Sequence, residues 1–144
     1  MASFSPYALY GSWPADNNLS NNLGVATDDS KITSTSVLGL TQIFNITNSL
    51  TTQPNGVAVQ STPTIADGIV YAADSGGNVM AINGKTGAII WITPLTVNGR
   101  AEFFDESPAL TKDRLFIAGD NMFALNRHTG KVLWSTVAVA MMML

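Results

Sequence analysis

The chain has 144 residues, a formal net charge of −3 and no cysteine, with 46% hydrophobic and 12% charged residues. That length allows one domain at most, and the missing cysteine excludes a thiol nucleophile, a cysteine-held metal and covalent haem attachment. No basic stripe marks a nucleic-acid interface, and no run reaches the roughly 18 apolar residues of a membrane-spanning helix.

Residues 1–36 are polar, rich in Asn, Ser, Asp and Gly, and read as a loop-rich lead-in. Met1-Ala2-Ser3-Phe4 has neither a charged n-region nor an apolar h-region, so no signal peptide is visible. Trp13-Pro14 interrupts the polar run, with Trp13 expected to pack on the flank of the fold rather than hold a ligand. Asn18-Leu19-Ser20 and Asn45-Ile46-Thr47 match the N-glycosylation acceptor pattern, which has meaning only in a eukaryotic secretory path. Residues 37–60 hold an N-terminal strand and a connection. Leu38, Leu40, Ile43, Phe44 and Ile46 are spaced as in a strand, and Pro54-Asn55-Gly56 marks a turn.

Residues 61–92 and 106–136 are two copies of one unit, joined by a loop over 93–105 and followed by an apolar tail, 137–144. Anchored on Pro63 and Pro108, the copies run through Ile69–Asp74 and Leu115–Asp120, then Asn78–Asn83 and Asn121–Asn126. On this alignment the second copy gains one residue before its second strand and loses Ser75-Gly76-Gly77 from the following turn. Both copies end Thr-Gly-x-x-x-Trp, at Thr86-Gly87 to Trp91 and Thr129-Gly130 to Trp134. The tryptophans stand 43 positions apart, and a period of about 40 to 45 residues is that of four-stranded propeller blades. The expected fold is therefore all-β: a partial propeller of about two blades, plus an N-terminal strand belonging to a closing blade. A ring needs about four to eight blades, so further blades are required, from a longer chain or from other copies. The tail, VAVAMMML, is read as an interface strand, the start of a third blade or a terminal stretch, and its short uncharged run would aggregate if left bare.

The pattern A-x-[ND]-x-x-T-G-x-x-x-W, carried by Ala81 to Trp91 and Ala124 to Trp134, resembles the tryptophan-docking repeat of pyrroloquinoline quinone (PQQ) dehydrogenases. Asn83 and Asn126 replace the usual aspartate, and Phe44 stands where that family places a blade-ending tryptophan. Trp13-Pro14 and the Asn17–Asn22 stretch resemble the opening of the polyvinyl-alcohol dehydrogenase branch. The resemblance implies alcohol oxidation by PQQ with calcium over the central channel, and a periplasmic or secreted protein. Trp91, Trp134, Thr86, Gly87, Thr129 and Gly130 would then be the docking residues. The first strand of each blade would line the channel, which singles out Gln60, Asp105 and Glu106, with Arg100 able to reach a quinone carboxylate. The catalytic residue stays unknown, no metal ligand set is assigned, and His128 is expected at the surface. A scaffold propeller without a quinone, and a structural protein whose blades pair edge to edge between copies, are the competing readings, because fold alone does not fix function.

Overall fold

The computed structural model describes residues 33–46 and 58–137. Four strands, β1 (Thr64–Ala66), β2 (Ile69–Ala73), β3 (Asn78–Asn83) and β4 (Ile89–Pro94), form an antiparallel sheet in chain order. A small hairpin follows, β5 (Thr96–Val97) with β6 (Arg100–Ala101). The second four-stranded sheet repeats the first with β7 (Ala109–Leu110), β8 (Arg114–Ala118), β9 (Asn121–Asn126) and β10 (Val132–Val137). The chain is all-β, a partial β-propeller with these two sheets as its blades.

The turns follow from their residues. Asp67 and Gly68 both hold positive φ, 53° and 72°, as a two-residue hairpin between right-twisted strands requires. At the β3–β4 turn, Asn83 Oδ1 accepts the backbone N–H groups of Lys85 and Thr86 at 2.9 and 3.1 Å. Asn126 does the same for His128 and Thr129, both at 3.0 Å. An amide oxygen makes these bonds as an aspartate would, so the asparagines leave the turn intact. Gly87 and Gly130 close the turns at φ 73° and 72°. The ladder then slips once in each blade, next to the tryptophan, making Ile90 and Leu133 the extra residues of two matching bulges.

Strand register corrects the alignment of the two copies. Thr64 faces Tyr71 in blade one and Ala109 faces Phe116 in blade two, so Tyr71 corresponds to Phe116 and not to Ile117. The second copy therefore gains no residue before its second strand. Ala73 faces Val79 and Ala118 faces Met122, which leaves a two-residue shortening of the β2–β3 turn and makes Gly119 the counterpart of Asp74. Apolar content alone could not set this register, because both frames place hydrophobic residues on both faces of a strand buried on two sides.

The main core lies between the blades. Tyr71, Ala73, Val79 and Ala81 of the first pack against Leu115, Ile117, Phe123 and Leu125 of the second, with Leu95 and Phe104 of the connection wedged at the seam. Phe104 meets Phe123 edge-on at 6.3 Å. Ala72, Met80 and Ile82 make a second, smaller cluster on the far face of blade one, with Ile46, Val70 and Ile92 beside it.

The expected N-terminal strand is absent from the described residues. Ser36–Gly39 form a 3-10 turn, and residues 40–46 run without a ladder. Strand-like spacing cannot make a strand where no neighbouring strand offers its backbone groups. Trp13-Pro14, the 17–22 stretch with Asn18, Pro54-Asn55-Gly56 and residues 138–144 of the tail lie outside the described residues; Val137 closes β10.

Candidate functional site

Two ends of the blades carry the residues of interest. At one end lie the β2–β3 turns and the connection between blades. Asp74, fully buried, accepts the N–H groups of Gly76 and Asn78 at 2.9 Å and the Asn78 amide at 2.9 and 3.1 Å, which locks the β2–β3 turn of blade one. Ser75 ties in the stretch before β1: its N–H donates to the Ala58 carbonyl at 3.0 Å, and its Oγ accepts the Ala58 N–H at 3.2 Å. The connection is strapped across the same turn by Leu95 N–H to the Gly77 carbonyl at 2.7 Å and Glu102 N–H to the Leu95 carbonyl at 3.0 Å. A Cβ on Gly77 would sit 2.8 Å from the Leu95 oxygen, so this crossing admits only glycine.

Blade two lacks an acid at Gly119, and Glu102 of the connection supplies one. Buried, it accepts from the Asn121 side-chain amide at 2.8 Å and the Asn121 backbone N–H at 3.2 Å. Sequence reasoning missed this residue. The sequence carried no signal for it, because Asp120 stands in the second turn and aligns with Asp74; only the strand register, which makes Gly119 the counterpart of Asp74, shows the acid to be missing.

Gln60, Arg100, Asp105 and Glu106 all fall at this end and all are exposed, in three separate stretches. Arg100 stands on β6, just past the Asn98-Gly99 turn, whose residues hold φ values of 52° and 77°. Asp105 and Glu106 precede β7. Among the described residues none of the four forms an ion pair with another, and no three His, Cys, Asp or Glu side chains gather as they would around a metal ion. The donors present, one guanidinium, two carboxylates and one amide, therefore do not make a complete site for a calcium ion and a tricarboxylic quinone. His128 is exposed at the opposite end, 3.7 Å from Asp113.

That opposite end joins the blades. Trp91 lies across Gly130: a Cβ there would be 2.6 Å from Trp91 Cε3 and 2.7 Å from Thr93 Oγ1. Trp91 Nε1–H donates to the Arg127 carbonyl at 3.0 Å, and Thr93 Oγ1–H donates to the Gly130 carbonyl at 2.8 Å. Gly87, the counterpart in blade one, is covered by the ring of Phe44, 2.7 Å from where a Cβ would stand. Thr86 and Thr129 are exposed and fold back on their own turns, accepting the Ala88 and Lys131 N–H groups at 3.3 and 3.4 Å. Trp134 is 40% exposed and packs on Phe116 at 6.0 Å, as Trp91 packs on Tyr71 at 6.2 Å.

Arg127 knits this seam, and sequence reasoning missed it too. It occupies the turn position that holds Gly84 in blade one. Its buried side chain pairs with Asp67 of the neighbouring blade, donates to the Thr111 carbonyl at 3.1 Å and lies 5.8 Å from the centre of the Tyr71 ring. Burial pushes the Tyr71 hydroxyl above its ordinary pKa, with the Arg127 charge pulling the other way. Among the described residues, neither that hydroxyl nor Arg127 Nε makes a hydrogen bond of ordinary geometry.

Two four-stranded sheets stacked face to face, the first passing its tryptophan ring to a turn glycine of the second, define a partial propeller of the PQQ-repeat kind. The sequence profile of the PQQ repeat described as outer membrane protein assembly factor BamB matches residues 18–106, more than half of the chain, and the chain belongs to that family. No curated protein sequence matches it. Among solved structures, quinohemoprotein alcohol dehydrogenase from Comamonas testosteroni is similar over 88% of this chain, with a TM-score of 0.70 and 21% identity. The chain spans 19% of that enzyme's length. BamB from Moraxella catarrhalis (TM-score 0.48, 17% identity, 55% of this chain and 24% of its own) and a europium-containing methanol dehydrogenase (0.47, 19%, 53% and 15%) resemble it more distantly.

Proposed function

We propose that this chain supplies two blades of a propeller that oxidises an alcohol with bound PQQ, and that turnover requires blades it does not contain. The observation that carries the reading is the shared end of the blades. Gln60, Arg100, Asp105 and Glu106, from the three stretches that lead into or between the blades, all face solvent there. In this reading Arg100 pairs with a quinone carboxylate, as a guanidinium fork suits a carboxylate. Asp105 and Glu106 lend oxygen ligands to a cation whose shell other blades complete. Residues 61–92 and 106–136 act as the two blade units, with 93–105 as the loop between them. The polyvinyl-alcohol dehydrogenase branch is the nearest parent on Trp13-Pro14 and Asn17–Asn22, and the location is the periplasm or beyond the cell.

Titration of the purified chain with PQQ and calcium, followed by quinone absorbance and by alcohol-dependent dye reduction, tests this. The expected result is weak, salt-sensitive quinone binding that falls at least fivefold in Arg100→Ala, with no dye reduction. Full turnover by this chain alone would refute the need for other blades. Binding that is indifferent to Arg100→Ala would remove that side chain from the cofactor's surroundings.

A further inference from the structure

Two Asn-Gly pairs stand in turns of the described residues, within closely matched local sequences: Ile82-Asn83-Gly84-Lys85 and Val97-Asn98-Gly99-Arg100. The fold treats them oppositely. Asn83 Oδ1 accepts two backbone N–H groups, and the Gly84 N–H donates to the Gly68 carbonyl at 2.9 Å. That Gly68 oxygen stands 2.8 Å from a Cβ position on Gly84, so the turn is closed on both sides. Asn98 and Gly99 are exposed at the tip of the β5–β6 hairpin, where the Asn98 amide and the Gly99 N–H make no hydrogen bond among the described residues. Nothing lies within 4 Å of a Cβ position on Gly99. The hairpin has two residue pairs and joins no other strand among the described residues, and so short a hairpin is marginally stable by itself. It belongs to the link between the blades, and to neither of the outer faces that further blades would cover.

We infer that Asn98 is a self-modification site, at which the protein turns its own side-chain amide into an acid. Glycine has no side chain to screen the nitrogen that follows the asparagine, and it lets the intervening peptide rotate. The Gly99 nitrogen, after losing its proton to water, attacks the Asn98 side-chain carbonyl carbon. A new C–N bond closes a cyclic imide, while the amide nitrogen takes up a proton and leaves as ammonia. Water then opens the imide at one carbonyl or the other, giving aspartate or isoaspartate at position 98, with nothing oxidised or reduced. Asn83 is held back from the same course, because its amide oxygen and the Gly84 nitrogen are both committed to hydrogen bonds that must break before attack. Either product takes the formal net charge from −3 to −4, one unit more negative. Isoaspartate also adds a backbone atom at the tip, out of step with the pairing of Thr96 with Ala101 and of Val97 with Arg100. The new carboxylate stands two positions from Arg100, at the end of the blades assigned above to an anionic quinone, and opposes its binding; that consequence rests on the proposed function, whereas the modification does not.

Peptide mass spectrometry of the full chain, sampled over days in warm neutral buffer, tests this. Trypsin releases Asn98 within residues 86–100, which hold no other asparagine or glutamine, and fragment ions report Asn83 separately. Asn98 is expected to show the mass gain of an amide turned acid at least about tenfold faster than Asn83, whose hydrogen bonds hold it back. The gain should appear as two chromatographic peaks, one of them matching the Asn98→Asp variant. In chain unfolded by guanidinium, which lacks those bonds, the two sites should convert within about twofold of each other. The same peptide from Asn98→Gln should keep its mass. Any of four results would overturn the inference: Asn98 keeping its amide throughout, Asn83 of the folded chain converting as fast as Asn98, the two sites differing as much in the unfolded chain as in the folded one, or the mass gain persisting in Asn98→Gln.

Discussion

Replacing Gly130 with alanine asks whether the seam depends on a bare backbone under the indole. Gly130 holds φ 72°, a conformation that costs an L-residue about 1 kcal/mol. The new Cβ would also stand 2.6 Å from Trp91 Cε3 and 2.7 Å from Thr93 Oγ1, far inside ordinary contact. Neither group can yield freely, since the indole N–H is bonded to the Arg127 carbonyl and the threonine hydroxyl to the Gly130 carbonyl. Moving them weakens two hydrogen bonds of about 1 kcal/mol each, and overpacking of this kind costs about 1–3 kcal/mol. Because the bond losses and the overpacking overlap, the expected total is about 3 kcal/mol. Gly99 is the control: its φ is 77°, but nothing lies within 4 Å of its Cβ position, so Gly99→Ala should lose only the conformational share, about 1 kcal/mol. Urea unfolding followed by circular dichroism measures both, and indole fluorescence should shift to the red only in Gly130→Ala. Equal losses in the two variants would refute the argument, because φ alone would then account for both.

Glu102→Ala should cost about 2 kcal/mol, since it takes away the acceptor of the half-buried Asn121 backbone N–H and amide, and urea unfolding reads the loss directly. Arg127→Lys should lose about 2 kcal/mol, because an ammonium cannot reach Asp67 and the Thr111 carbonyl together while lying over Tyr71. A melting temperature within 2 °C of the parent, where about 2 kcal/mol predicts roughly 4–8 °C, would show the guanidinium to be dispensable. Tyr71→Phe removes a buried hydroxyl that makes no hydrogen bond of ordinary geometry among the described residues and should gain about 1 kcal/mol near neutral pH. Since burial raises the native pKa of Tyr71, its share of stability is intact below the unfolded value of about 10 and is lost as pH rises through the native value. Unfolding midpoints from about pH 8 to 11 should therefore fall less steeply in Tyr71→Phe than in the parent.

Much of the architecture was legible along the chain. The Asn-x-x-Thr-Gly turns and the tryptophans that follow them act locally. A side-chain oxygen caps two N–H groups within three residues, and a glycine takes the next left-handed position, whatever the rest of the chain does. The Asn98-Gly99 hairpin was legible in the same way, although the sequence reading left it inside a loop. The register of the second copy was not, because strands buried on both faces lose the alternation that marks which side is in.

What the sequence determined by itself was therefore the repeat, its turns and its need for neighbours, since each rests on interactions spanning a few residues and on the size of one blade. Only the tertiary structure decided who fills which place. Glu102 stands in for an acid missing from blade two, Arg127 reaches back to Asp67, and Phe44 sits on Gly87 where an indole was expected. Those partners lie 19, 60 and 43 positions apart, too far for any local pattern to encode. They meet because burying the apolar faces of two twisted sheets brings the turns of one blade against the strands of the next.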